Sequence, residues 1–188
     1  MPEVKLVDYG PLQRLIGIWK GHKGLDVVPE PEGKEENPYH ECMVFEGVGN
    51  VSNAESQCLA AVQYRQIVCR NSDSKAFHDQ SGYWMWDAQT GCIMHAFSIP
   101  RGVSVLAGGN FQALEDGGMQ FRVSARIDDA DWGILQSPFM LKQAKTTAFS
   151  QRVDVTDDCL SYQQSTMLDI YGRVFEHTDH NILLRQEA

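Results

Sequence analysis

The feature that most constrains this chain is a ladder of short apolar runs broken by glycine turns between residues 82 and 127. Gly82–Asp87 carries Tyr83, Trp84, Met85 and Trp86, and Ala88-Gln89-Thr90-Gly91 turns it back into Cys92–Ile99. Pro100-Arg101-Gly102 ends that run, Val103–Ala107 stops at Gly108-Gly109, Phe111–Leu114 stops at Glu115-Asp116-Gly117-Gly118, and Met119–Ile127 follows. Regular short strands with such turns mark a sandwich or a barrel. Further strand patterns span Ile18–Gly24, Tyr39–Val48, Gln57–Arg70, Thr146–Val155, Cys159–Leu168 and Val174–Arg185. Leu25–Asn37, rich in Pro and Glu, reads as a solvated loop. Helix is expected only at Pro11–Ile16, with Leu12, Leu15 and Ile16 on one face, and at Phe139–Ala144, opened by Ser137-Pro138 as N-cap and first position. The expected fold is all-β: an antiparallel up-and-down barrel of about ten strands with one or two short helices, because hairpins join neighbours and closure removes the edges. An open sandwich is the runner-up.

With 188 residues the chain is read as one ligand-binding domain over residues 1–188. Sixteen Lys and Arg against 25 Asp and Glu leave a formal charge of −9, which repels a phosphate backbone and argues against nucleic acid. The first residues show no basic and apolar leader pattern, and no apolar run approaches the length of a membrane span. The five cysteines are odd in number, with none in a CxxC pair, so they read as reduced thiols of a cytoplasmic protein. Enzyme templates such as GxSxG, a phosphate loop and HExxH do not occur. The pairs Asp128-Asp129 and Asp157-Asp158 read as solvated turn residues.

Each of the six histidines, taken alone, is more often structural than a ligand. His78 precedes the aromatic strand, while His177 and His180 interrupt the last one. Being three apart, they point to opposite sides of a regular strand. Side-chain alternation favours His180, whose face is shared by Ile182 and Leu184. The same rule sets Tyr83 and Met85 against Trp84 and Trp86.

Gly17-Ile18-Trp19-Lys20-Gly21-His22-Lys23-Gly24 resembles the GxWxGxG signature of the nitrobindin-like heme-binding β-barrels, with the last glycine one residue late. Tyr39-His40-Glu41, Phe77–Tyr83, Ser137–Lys145 and Leu160–Met167 are similar to later family segments, in order. The resemblance implies a barrel like that of fatty-acid-binding proteins. It implies heme b near the mouth with iron on a C-terminal histidine, and, in some members, nitric oxide binding and peroxynitrite isomerisation. Counted from Met167, the iron ligand falls on His177, with Asp179 on the same face to orient it. Trp19, His78, Tyr83 and His180 are the other residues expected at the cofactor. Trp84 stands where the family often has arginine, and Arg185 lies farther from the histidine than the family's basic residue. The alternative is a lipocalin-like carrier of a non-heme apolar molecule. Neither reading chooses between monomer and homodimer.

Overall fold

In the computed structural model, residues 7–187 are described. A 3₁₀ turn, Gly10–Leu15, precedes β1 (Gly17–Glu30), β2 (Gly33–Ala54), β3 (Gln57–Arg70), β4 (Ala76–Asp87), β5 (Cys92–Ile99), β6 (Val103–Ala113), β7 (Met119–Arg126) and β8 (Ile134–Gln136). Helix α1 (Pro138–Gln143), β9 (Ala144–Val155), β10 (Cys159–Ile170) and β11 (Arg173–Gln186) follow. All pairings are antiparallel. The order β5-β4-β3-β2-β1-β11-β10-β9-β7-β6 closes through β5–β6 into a ten-stranded barrel, and β8 is added on β6.

Two sequence expectations change. Leu25–Asn37 is not a loop: β1 and β2 continue as a hairpin, with Val27 opposite Glu36 and Pro29 opposite Lys34. Its glutamates Glu30, Glu32, Glu35 and Glu36 stand in solvent while Asp26 is buried, and Pro29 lies past the last β1–β11 pair, at an edge where a missing N–H is tolerated. Gly108-Gly109 is not a turn either, since β6 runs through it. A Cβ on Gly109 would strike the Arg122 carbonyl, and one on Gly108 would enter the Trp132 ring. These glycines serve close approach, the other use of the residue. The short strand β8 pairs with the start of β6, where β7 does not reach.

The late glycine of the first motif has a structural counterpart. Between Gly21 and Gly24 the β1–β2 register slips, because Gly21 pairs with Glu41 and Gly24 with Tyr39. The extra residue is a bulge, which keeps Trp19 and Asp26 both facing inward. A Cβ on Gly24 would fall inside the Tyr39 ring, which is buried and tied to Tyr162 Oη at 2.6 Å. Gly24→Ala is therefore expected to lower stability by about 2 kcal/mol, as overpacking does when the neighbour cannot move. A urea titration checks this, and Gly33→Ala, with open space around it, is the control.

One end of the barrel is closed by the 3₁₀ turn. Leu12 and Leu15 are fully buried against Trp19, Val62, Ile93, Leu160 and Leu183. Turns β1–β2, β3–β4 and β10–β11, together with α1, surround the opposite end, where Phe77, Phe139 and Val174 are exposed. Ser137 caps α1 through Met140 N–H at 3.4 Å. All five cysteines are free. No helix of the described residues is long and apolar enough to cross a membrane.

Candidate functional site

Side-chain alternation sorts the last strand. His177, Asp179, Asn181 and Leu183 face inward, whereas His180, Ile182 and Leu184 are exposed outside. The apolar neighbours that favoured His180 are thus solvent-facing. His177 lies near the open end, where its side chain keeps 26% of its surface exposed.

Two strands bring carboxylates and imidazole together here, and a third supports them. Asp26 of β1 sits directly opposite Asp179 of β11 in the ladder, and His177 is two residues earlier on the same face as Asp179. His177 Nε2 is 2.7 Å from Asp26 Oδ1 and 3.5 Å from Asp179 Oδ2. Gln164 of β10 donates to Asp179 Oδ2 at 3.2 Å. Burial by itself disfavours a charged His177, but the two carboxylates more than offset this and push its pKa up to about 10. Burial raises the Asp26 pKa. Burial also works on Asp179, but the hydrogen bond and charge of His177 hold that carboxyl below its usual range. The picture is an imidazolium whose Nε2 proton is shared with Asp26, flanked by an ionised Asp179. His78 adjoins the group on the inward face of β4 and, through burial, is held neutral.

Deeper in the barrel the polar side chains are satisfied by one another. Glu41 accepts from Gln66 Nε2 at 2.6 Å, Asn181 Nδ2 at 2.7 Å and Tyr162 Oη at 3.0 Å. The Tyr39 hydroxyl, 2.6 Å from that of Tyr162, also donates to the His180 carbonyl at 3.2 Å. Burial pushes Glu41 up to about 7, against the opposing pull of its donors. His95 stacks on Trp84 at 4.1 Å and meets Tyr64 Oη at 2.7 Å, and burial lowers its pKa to about 3. The cavity among Tyr64, Gln80, His95, Gln151 and Tyr162 is about 20 Å³, room for one water. The core around this cavity is filled by side chains.

The sequence-derived residues therefore separate. His177 and His78 both face inward toward the same end of the barrel. Trp19 is fully buried at the closed end, and its ladder partner Arg185 is eight residues beyond His177 on β11, roughly 26 Å at strand rise. Tyr83 points outward and lines an external groove of about 700 Å³ with Leu106 and Leu135. His180 lines a second, polar external groove of about 810 Å³ with Arg152 and Glu176. Asp26 is the site residue the sequence reading missed. It fell in the expected loop, and its signal was the alternation Gly24, Asp26, Val28 continuing the inward face of β1.

An iron porphyrin needs a neutral imidazole with a free nitrogen lone pair and a flat apolar slot. The position and exposure of His177 meet part of that requirement. Its Nε2 does not: Asp26, itself buried, holds that atom, and Asp179 stands beside it. In this arrangement Nε2 is engaged, and iron would bind there only once Asp26 releases it.

The family model described as the THAP4-like, heme-binding beta-barrel domain matches residues 8–185. No curated protein sequence matches the chain. Among solved structures, the chain is similar to Rv2717c from M. tuberculosis, with a TM-score of 0.72 and 23% identity, over 96% of this chain and 100% of that one. That likeness supports the fold, and the match across residues 8–185 carries the assignment: the chain belongs to the THAP4-like family of heme-binding β-barrels, the nitrobindin-like barrels.

Proposed function

We propose that residues 1–188 act as one ligand-binding domain that receives heme b at the barrel mouth, with His177 as iron ligand. Family membership favours heme as the ligand class. The observation that carries the choice of residue is His177 itself, the inward-facing, partly exposed histidine of the last strand. His78 is the second histidine of this mouth, and Trp19 supports the barrel from the closed end. Binding at His177 requires the ring to leave Asp26 and give up its proton. Heme held by His177 would supply an iron able to bind a small diatomic molecule. Nitric oxide binding or peroxynitrite isomerisation is the activity that the family resemblance adds, and it makes the protein a candidate heme-dependent isomerase. The reading places the protein in the cytoplasm, as a monomer or homodimer.

One observation favours a second reading. Because Nε2 is held by Asp26, the imidazole is not offered to iron, which counts for the alternative of a non-heme apolar ligand. Hemin titration followed at the Soret band separates the two. Wild type is expected to bind one hemin, His177→Ala to lose affinity on the order of 100-fold, about 2.7 kcal/mol, and His180→Ala to bind like wild type. Loss confined to His180→Ala moves the ligand to that residue. Absence of a Soret shift in wild type gives the case to the carrier.

A further inference from the structure

We propose that Asp26, His177 and Asp179 form a site for a divalent first-row transition cation, which would compete with heme for His177. The inference does not depend on heme being bound.

Its first support is geometric. Oxygen and imidazole ligands bind such ions at about 2.0–2.2 Å, which sets neighbouring donor atoms roughly 3 to 4 Å apart. Here His177 Nε2 lies 2.7 Å from one carboxylate oxygen and 3.5 Å from the other, and the donor atoms of all three residues lie within 4.8 Å of one another. The site needs only small side-chain shifts to close on an ion.

The second support comes from the ladder, independently of the side-chain distances. Asp26 and Asp179 are direct cross-strand partners on the inward face. Like charges in that relation repel, and burial at 4% exposure for the Asp26 residue and 18% for the Asp179 side chain strengthens the repulsion. Arg173, near the same end, is turned to the carbonyls of Glu30 and Gly33. A cation between the two carboxylates would relieve this repulsion, taking one nitrogen and two oxygens.

A third feature is the support behind the ligands. Gln151 Nε2 donates to Gln164 Oε1 at 3.3 Å, and Gln164 in turn donates to Asp179. Outer partners of this kind orient a ligating carboxylate. Imidazole suits Zn²⁺, Fe²⁺ and Co²⁺, while carboxylates add Mn²⁺, so the mixed set selects these over Mg²⁺ and Ca²⁺. Three protein ligands leave positions open toward the mouth for water or a small anionic ligand.

Co²⁺ is the probe. Tag-free protein should take up one Co²⁺ with visible d–d bands, and Co²⁺ should raise the melting temperature by mass action. Asp26→Asn and Asp179→Asn should each weaken Co²⁺ binding on the order of 100-fold, at or above the loss seen for supporting residues alone. His180→Ala should bind as wild type does. Asp26→Asn is the deciding variant because the two activities move oppositely: it removes an anionic cation ligand and also one of the two carboxylate charges that hold the proton on His177, so hemin affinity should rise while Co²⁺ affinity falls. Both carboxamides are near-isosteric and remove a repulsion, so folding is preserved, which a thermal melt verifies. Absence of one-to-one Co²⁺ uptake overturns the site. So does uptake unchanged in Asp26→Asn, or a thiolate charge-transfer band that assigns the ion to the cysteines. Co²⁺ binding without a Soret shift leaves the cation site standing and removes the heme reading. A Soret shift without Co²⁺ binding does the reverse.

Discussion

Replacing Trp19 by alanine is expected to cost about 3–5 kcal/mol of folding stability, the range for emptying a large buried aromatic site. The ring is fully buried, and its Nε1 donates to the Leu15 carbonyl at 2.8 Å. The Arg185 guanidinium stacks at 4.1 Å from the ring centroid. The same guanidinium donates to the carbonyls of Ile16 at 2.6 Å, Arg14 at 2.8 Å and Asp157. Trp19 thus joins β1, the 3₁₀ turn and β11 at the closed end. Its loss both leaves a cavity and frees the turn that carries Leu12 and Leu15. Trp19→Phe keeps most of the packing and loses the indole donor, so it should cost only about 1–2 kcal/mol, the penalty of one unmade buried hydrogen bond. Urea unfolding of the two variants measures both. A loss under 1 kcal/mol in Trp19→Ala would contradict the closing role.

Glu41→Gln is expected to make the protein more stable than wild type at alkaline pH and equal to it in acid. Glu41 is raised by burial to about 7 in the fold, above its usual 4.5. A carboxyl with a raised folded pKa is favoured in its neutral form. Its contribution is complete below pH 4.5 and is lost as pH climbs through 7. The difference of about 2.5 units corresponds to roughly 3 kcal/mol. Glutamine stays neutral at every pH. It can keep its carbonyl toward Tyr162 and Asn181 while its amide faces a reversed Gln66. The advantage of the variant should therefore grow from near zero at pH 4 to about 3 kcal/mol at pH 8. Paired denaturant titrations across that window read it. A constant difference would assign the effect to packing rather than ionisation.

The sequence alone carried most of the barrel. Strand spacing, glycine turns and the near absence of helix reflect local rules, namely period-two patterning and turn chemistry, and these are readable residue by residue. The first motif, the plug at Pro11–Ile16 and the Ser137-capped helix were legible for the same reason. The facing of Trp84 and Trp86 was legible only as a pairing, because alternation sets which residues share a face but not which face is inside. Closure decided that, and it set Tyr83 outside. The Leu25–Asn37 hairpin was missed because its strand pairing compensates for a composition that reads as loop. Gly108-Gly109 was misread because a glycine in a turn and a glycine beneath a tryptophan look alike in one dimension. The inward facing of His177 was legible through the family register. Its partner Asp26 was not, since 151 residues separate them and only the β1–β11 pairing makes them neighbours. Long-range antiparallel register, which no local pattern encodes, turned a histidine expected to face iron into one held between two carboxylates.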